Sequence, residues 1–259
     1  VSDPITSWHD IGPRSAPVVV LLHAIATDSD LWASQIPVWS QRFRLLAVDL
    51  PGHGASKPRP HINSVEAYAD ALAQLLLRES IQTASIVGLS LGGMIAQAFA
   101  LSFPERVRSL VLSNTSARTP PAMQDIWSKR MQQAVQHGME HQVAPTIERW
   151  FTPRFTERAP LHVARIARMI RSTSLEGYVA AIEAIQRLDL LDRLPELSMP
   201  ALVITGRLDP AATPQIAETI AGKLPDSRLT VIEDAAHLSN IEQPGAFVES
   251  VGAFLEQTR

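Results

Sequence analysis

Apolar and polar positions along the chain follow two rhythms. In the first half, VVVLL (18–22), RLLAVDL (44–50), ASIVGL (84–89) and VRSLVLS (107–113) are short, nearly continuous apolar runs rich in β-branched residues. Turn-forming residues bound them, which predicts strands buried on both faces of a parallel sheet. Helical patterns lie between these runs. In NSVEAYADALAQLLLRES (63–80), Val65, Ala69, Leu72 and Leu76 share one stripe, and Asn63 with Glu66 three positions on has the spacing of a capping box. LGGMIAQAFALSF (91–103) is apolar nearly all round and predicts a helix sunk in the core.

After Ser116 the rhythm changes. Residues 117–195 carry helical periodicity and little that reads as strand, in WSKRMQQAVQHGMEHQ, TIERWF, PLHVARIARMIRS and LEGYVAAIEAIQRLDLL. Strand and helix then alternate again through ALVITG (201–206), TPQIAETIAGKL (213–224), RLTVIED (228–234) and a closing PGAFVESVGAFLEQ (244–257). The pattern predicts an α/β core formed by residues 1–116 and 196–259, interrupted by a helical insertion at 117–195. No internal repeat or low-complexity stretch is visible.

Composition narrows the class further. The 259 residues are 46% hydrophobic and 19% charged with a net charge of −3, an ordinary globular balance with no basic run to attract nucleic acid or an anionic membrane. Cysteine is absent, so disulfides, thiolate metal sites and a cysteine nucleophile are excluded. No run approaches the ~18 apolar residues of a membrane span, and VSDPITSWHD has neither a basic nor an apolar signal-peptide region. These features read as a cytoplasmic protein acting on small molecules, with a homo-oligomer left open. The chain starts at Val1 without methionine, and no strand-like run precedes Val18; on this reading the start is truncated and short of a first strand.

Gly88-Leu89-Ser90-Leu91-Gly92 fits G-x-S-x-G and sits between a predicted strand and a predicted helix. In that context the serine occupies a strained turn that lifts its Oγ clear of the sheet, so Ser90 is the candidate nucleophile. Such a site takes its partners in the chain order serine, acid, histidine. His237, in EDAAHLSNIEQP, is the only histidine beyond the insertion and follows the last predicted strand, which makes it the candidate general base. Asp209 follows the strand ending near Thr205, where open α/β sheets place functional groups. It is preferred to Glu233 and Asp234, which crowd His237 along the chain, and to Asp189 and Asp192 in the insertion. The oxyanion donors are expected to be the backbone N–H groups of Leu91 and Ile25, the latter in LLHAIATD after the first run. His53, in DLPGHGAS, precedes the serine and reads as part of a structural loop pinned by Asp49. His137 to His141 fits H-x-x-E-H, but Gly138 weakens the helix and no third ligand is apparent, so no metal is assigned.

With these residues in order, the chain resembles an α/β-hydrolase, from VVVLLHA to the closing helix. LSLGGM (89–94), SNTSAR (113–118), RWFT (149–152), EGYVAAIEAI (176–185), DPAATP (209–214) and AHLSNIEQP (236–244) resemble, more narrowly, bacterial 3-oxoadipate enol-lactonases of aromatic catabolism. The resemblance implies an eight-stranded, mostly parallel sheet flanked by helices, a helical cap at 117–195, and no metal or organic cofactor. It implies a small unsaturated lactone bearing an acetate arm as substrate, with Trp150 and Arg149 in the cap as candidates to hold it. At the oxyanion loop the chain has His23-Ala24-Ile25-Ala26 where such lactonases carry an Asn-Ser-Leu-Gly-like word, which opens the substrate question. A promiscuous carboxylesterase is the alternative, followed by perhydrolysis or carbon–carbon bond hydrolysis on the same frame. An idle binding module is disfavoured by the intact Ser90, Asp209 and His237.

Overall fold

The computed structural model describes residues 3–259. Seven strands form one sheet: β1 (Trp8–Ile11), β2 (Val18–Leu22), β3 (Arg44–Val48), β4 (Ala84–Leu89), β5 (Val107–Ser113), β6 (Ala201–Gly206) and β7 (Ser227–Ile232). Their order is β1-β3-β2-β4-β5-β6-β7; β1 runs antiparallel to β3, and all other pairings are parallel. All residues of β3, β4 and β6 are buried, as their nearly continuous apolar runs predict.

Among the described residues eleven α-helices accompany the sheet: α1 (Ile36–Trp39), α2 (Val65–Arg78), α3 (Leu91–Ser102), α4 (Pro121–His137), α5 (Glu140–Trp150), α6 (Pro153–Arg158), α7 (Pro160–Ser172), α8 (Leu175–Gln186), α9 (Pro214–Lys223), α10 (Ser239–Glu242) and α11 (Pro244–Gln257). In α3, residues 91–100 are all buried, matching its apolar circumference. Five helices, α4 to α8, lie between β5 and β6 in the chain. Among the described residues no helix is long and apolar enough to cross a membrane.

Three expectations change. The sheet has seven strands among the described residues, not eight. A strand does precede Val18: β1 pairs Trp8 to Ile11 with Val48 to Leu45. It escapes an apolar-run criterion because an antiparallel edge strand is only half buried. The cap of α2 is Ser64, whose side chain accepts from Ala67 N, whereas Asn63 Nδ2 donates to Glu183 Oε2 of α8 at 2.6 Å.

Candidate active site

Ser90 stands between β4 and α3 with φ 55° and ψ −115°, a left-handed conformation costing about 1–3 kcal/mol for a residue with a side chain. Local bonds hold it there. Ser90 N donates to Ser113 O at 2.9 Å, Met94 N to Ser90 O at 3.1 Å, and Thr115 Oγ1 to Ser90 O at 2.7 Å. The turn works only because the helix comes very close to the sheet: a Cβ on Gly92 would lie 2.2 Å from Leu22 O.

The loop after β2 joins this turn from the other side. Gly92 N donates to His23 O at 3.1 Å. The His23 ring is enclosed: its Nε2 accepts from Leu50 N at 3.0 Å, leaving Nδ1 to donate to Ala24 O at 2.8 Å. Ala26 adopts φ 57°, so the alanine reads as a locally strained position in the loop carrying Ile25. Among the described residues, Ile25 N has no hydrogen-bond acceptor. Ile25, Ala26, Ser90 and His237 line one cavity of about 470 Å³, within the usual range for small-molecule sites.

Asp209 and His237 meet as expected from their places after β6 and β7. His237 Nδ1 donates to Asp209 Oδ2 at 2.8 Å. Asp209 Oδ1 accepts from Ala211 N at 2.8 Å and Ala212 N at 3.0 Å. Burial opposes ionisation of this carboxyl, but the His237 charge and hydrogen bond, with that of Asn114, hold it below the ordinary aspartate range. Asp209 is 3% exposed and His237 5%, so the imidazole is reached from the cavity and not from open solvent. The Trp150 ring stacks near the His237 ring, with centroids 6.1 Å apart and planes at 26°, and Leu238 N donates to Trp150 O at 3.2 Å.

Two positioning residues escaped the sequence reading. Asn114 Nδ2 donates to Asp209 Oδ2 at 2.9 Å and to Ala236 O at 3.2 Å, and its Oδ1 accepts from Ser113 Oγ and Ser239 Oγ at 3.0 and 2.6 Å. Its signal was its place one residue beyond β5, level with the other strand ends. Glu242 Oε1 accepts from Ala236 N at 2.9 Å, and its Oε2 accepts from Thr152 Oγ1 at 2.7 Å.

The remaining candidates separate cleanly. Arg149 and Trp150, both on α5, line the cavity. His53 is fully buried and does not line it; its Nδ1 donates to Pro51 O at 3.1 Å. Asp49 pins the surrounding loop, accepting from Ser29 N, Ala55 N and Ser7 Oγ at 2.9, 3.0 and 2.9 Å. His137 and His141 fall on different helices, parted by Gly138 at φ 77°, and Glu140 between them pairs with Arg171. Asp189 and Asp192 both bind Arg118.

Comparison with known proteins agrees with this arrangement. A family model described as alpha/beta hydrolase fold matches residues 17–244. A 3-oxoadipate enol-lactonase of Acinetobacter baylyi is 30% identical over 98% of this chain and 94% of its own. The crystal structure of the enol-lactonase from Burkholderia xenovorans LB400 superposes with a TM-score of 0.92 at 34% identity, covering 96% of each chain. A malate-bound thermophilic esterase from Thermogutta terrifontis gives a TM-score of 0.92 at 30% identity, covering 97% of this chain and 93% of its own. The chain belongs to the α/β-hydrolase family, and it is a hydrolase.

Proposed function

We propose that the protein is a serine hydrolase that opens 3-oxoadipate enol-lactone, or a close carboxylic-ester relative, through an acyl-enzyme. The observation that carries this reading is the His237 Nδ1–Asp209 Oδ2 bond of 2.8 Å, on an imidazole sharing its cavity with the strained Ser90. In this reading Ser90 Oγ attacks the ring carbonyl carbon as His237 Nε2 takes the hydroxyl proton. Asp209 fixes the tautomer and stabilises the imidazolium, and the N–H groups of Leu91 and Ile25 stabilise the oxyanion. Collapse of the tetrahedral species breaks the ring C–O bond. The enolate leaves with the proton from His237 and is a better leaving group than an ordinary alkoxide. Water, deprotonated by His237, then attacks the acyl carbon and releases Ser90 and a carboxylate, while the enol tautomerises to the ketone. Residues 117–195 act as a cap whose helices complete the cavity. The Acinetobacter and Burkholderia lactonases support this substrate.

A promiscuous carboxylesterase is the second reading, favoured by the apolar side chains of Met94, Met123, Ile185 and Ile216 in the wall and by the likeness to the Thermogutta esterase. Two measurements test the proposal. A fluorophosphonate probe is expected to label wild-type protein and not Ser90→Ala; an unlabelled wild type overturns the serine-hydrolase reading. The kcat/KM for the enol-lactone is expected to exceed that for p-nitrophenyl acetate, and a lower or equal value selects the esterase.

A further inference from the structure

His23 stands one residue beyond β2, and Leu50 two residues beyond β3. The parallel register sets Leu22 beside Val48, so the imidazole and the Leu50 backbone leave the sheet as neighbours. A backbone N–H can only donate, and Leu50 N donates to His23 Nε2 at 3.0 Å. Nε2 is therefore the unprotonated nitrogen, and the ring proton sits on Nδ1, 2.8 Å from Ala24 O. Burial of the fully enclosed ring favours this neutral form.

Ala24 O accepts from two further groups, Thr27 Oγ1 at 2.8 Å and Thr27 N at 3.3 Å. All three donors lie on the interior side. His23, Ala24 and Thr27 are fully buried, and none of them lines the Ser90 cavity. The Ala24–Ile25 peptide is trans, and in a planar trans peptide the C=O and the N–H point in opposite directions. Holding Ala24 O inward therefore turns Ile25 N–H outward, where Ile25 and Ala26 face the cavity. The loop needs such a hold, because Ala26 beside it is kept at φ 57°, a strained value for alanine. A flipped peptide does double damage: it removes an oxyanion donor and presents a carbonyl oxygen to the developing negative charge. His23 also joins the two halves of the hole, since its own carbonyl accepts from Gly92 N at 3.1 Å, next to Leu91.

We propose that His23 is a positioning residue, whose Nδ1–H sets the Ala24–Ile25 peptide so that Ile25 N–H faces the oxyanion. This role rests on the reading of Ser90 as nucleophile and of Ile25 N–H as an oxyanion donor. His23 does not line the cavity and acts only through the backbone.

Two amides that each keep half of the imidazole test the role in the whole protein. Asparagine places its NH₂ near the Nδ1 position and still donates to Ala24 O. Glutamine reaches the Nε2 position, still accepts from Leu50 N, and leaves Ala24 O without the ring donor. His23→Gln is expected to lower kcat for p-nitrophenyl acetate about a hundredfold, with KM within threefold of wild type. His23→Asn should keep at least ten times the kcat of His23→Gln, whereas a merely structural histidine makes the two variants alike. 1,1,1-Trifluoroacetone supplies a readout of the hole itself. Ser90 Oγ bonds to its carbonyl carbon, the C=O π pair moves to oxygen, and His237 takes the hydroxyl proton. Its inhibition constant should rise at least tenfold in His23→Gln. Circular dichroism checks folding. If either His23 variant fails to fold, the isosteric Thr27→Val decides, with kcat expected to fall at least fivefold and to return in Thr27→Ser. The role is overturned if His23→Gln keeps more than a tenth of the wild-type kcat or falls no further than His23→Asn. It is equally overturned if the ketone inhibits His23→Gln as well as wild type, or if Thr27→Val, where it decides, keeps the wild-type kcat. Fluorophosphonate labelling separates the two claims. A labelled wild type with an active His23→Gln sinks the positioning role alone, and a wild type that neither labels nor turns over ends both.

Discussion

His53 and His23 sit side by side beneath the site, with ring centroids 5.3 Å apart and both side chains fully buried. His23 is satisfied at both ring nitrogens, whereas His53 Nε2 is buried without a partner among the described residues. Burial first, and the adjacent His23 next, push the His53 imidazole down to about 3. In the unfolded chain a histidine titrates near ~6.5. Between these two values the unfolded state binds the extra proton, so stability is present above ~6.5 and is lost as pH falls toward ~3. At pH 4.5 the difference amounts to about 3 kcal/mol for this one residue. Replacing it by a neutral side chain, His53→Asn, should therefore flatten the acid limb. Urea denaturation at pH 7.5 and at pH 4.5 checks this; equal losses in wild type and variant would refute it. The residue-level reading of the sequence set Ser90, Asp209 and His237 apart from His53 by chain order; in the structure His237 bonds Asp209 and lines one cavity with Ser90, whereas His53 does not line it. For Asn114 the sequence offered only the position one residue beyond β5; the bond to Asp209 joins residues 95 positions apart, and nothing in the immediate neighbours along the chain announces it.

At the level of elements, β2 to β6 fall on their predicted runs because strands buried on both faces carry few polar residues to interrupt the pattern. The misses are where burial is partial. β1 contains His9 and Asp10, and Asp10 pairs with Arg44 through two bonds of 3.0 and 2.8 Å, so the edge strand is stabilised by charge where a pattern of apolar residues was sought. Asn63 was assigned a capping role that Ser64 performs, since the side chain of Asn63 is engaged by Glu183 across the molecule. The short helix α10 shows what a small element contributes. Its Glu242 carboxylate accepts from Ala236 N, one residue before His237, and from both Thr152 N and Thr152 Oγ1 at the junction of α5 and α6. The loop carrying His237 and the α5–α6 junction are thus tied to one buried side chain. Glu242→Ala leaves the Ala236 and Thr152 donors unpaired and should cost about 2–4 kcal/mol. If the tie also positions His237, kcat for p-nitrophenyl acetate falls about tenfold or more while KM moves less. Glu242→Gln should recover most of both effects, because its amide oxygen still accepts from Ala236 N–H and its NH₂ donates to Thr152 Oγ1. Steady-state kinetics with thermal denaturation decide the matter, and a Glu242→Ala variant with wild-type kcat rules out the positioning role.

Across the whole molecule the helical stretch between β5 and β6 meets the loops at the sheet's edge at several separate points. Besides the Glu242 tie, Asn63 Nδ2 reaches Glu183 of α8, and Arg187 Nη1 donates to Asn63 O at 3.3 Å. The tightest approach is between α8 and the loop after β3. Ser174, the cap residue of α8, donates through both N and Oγ to Gly52 O at 3.1 and 3.0 Å. A Cβ built on Gly177 would lie 2.5 Å from Gly52 Cα and 2.7 Å from Gly52 O. This gives the EGY word a structural meaning: the glycine lets a helix backbone rest directly against a loop backbone. Gly177→Ala sets two effects against each other. Helix propensity alone favours alanine inside α8 by about 1 kcal/mol. The contact opposes it, because the methyl meets the backbone of Gly52, which no side-chain rotation can move aside, and overpacking of this kind costs about 1–3 kcal/mol or more. The contact should win, lowering the thermal midpoint by about 2–6 °C for a chain of this size. Displacing α8 also moves Tyr178 and Ile185, both in the cavity wall, so KM for p-nitrophenyl acetate should rise with the loss of stability. A raised midpoint in Gly177→Ala would mean that the cap yields freely at this contact, and an unchanged KM beside a lowered midpoint would mean that docking of α8 stabilises the fold without shaping the cavity.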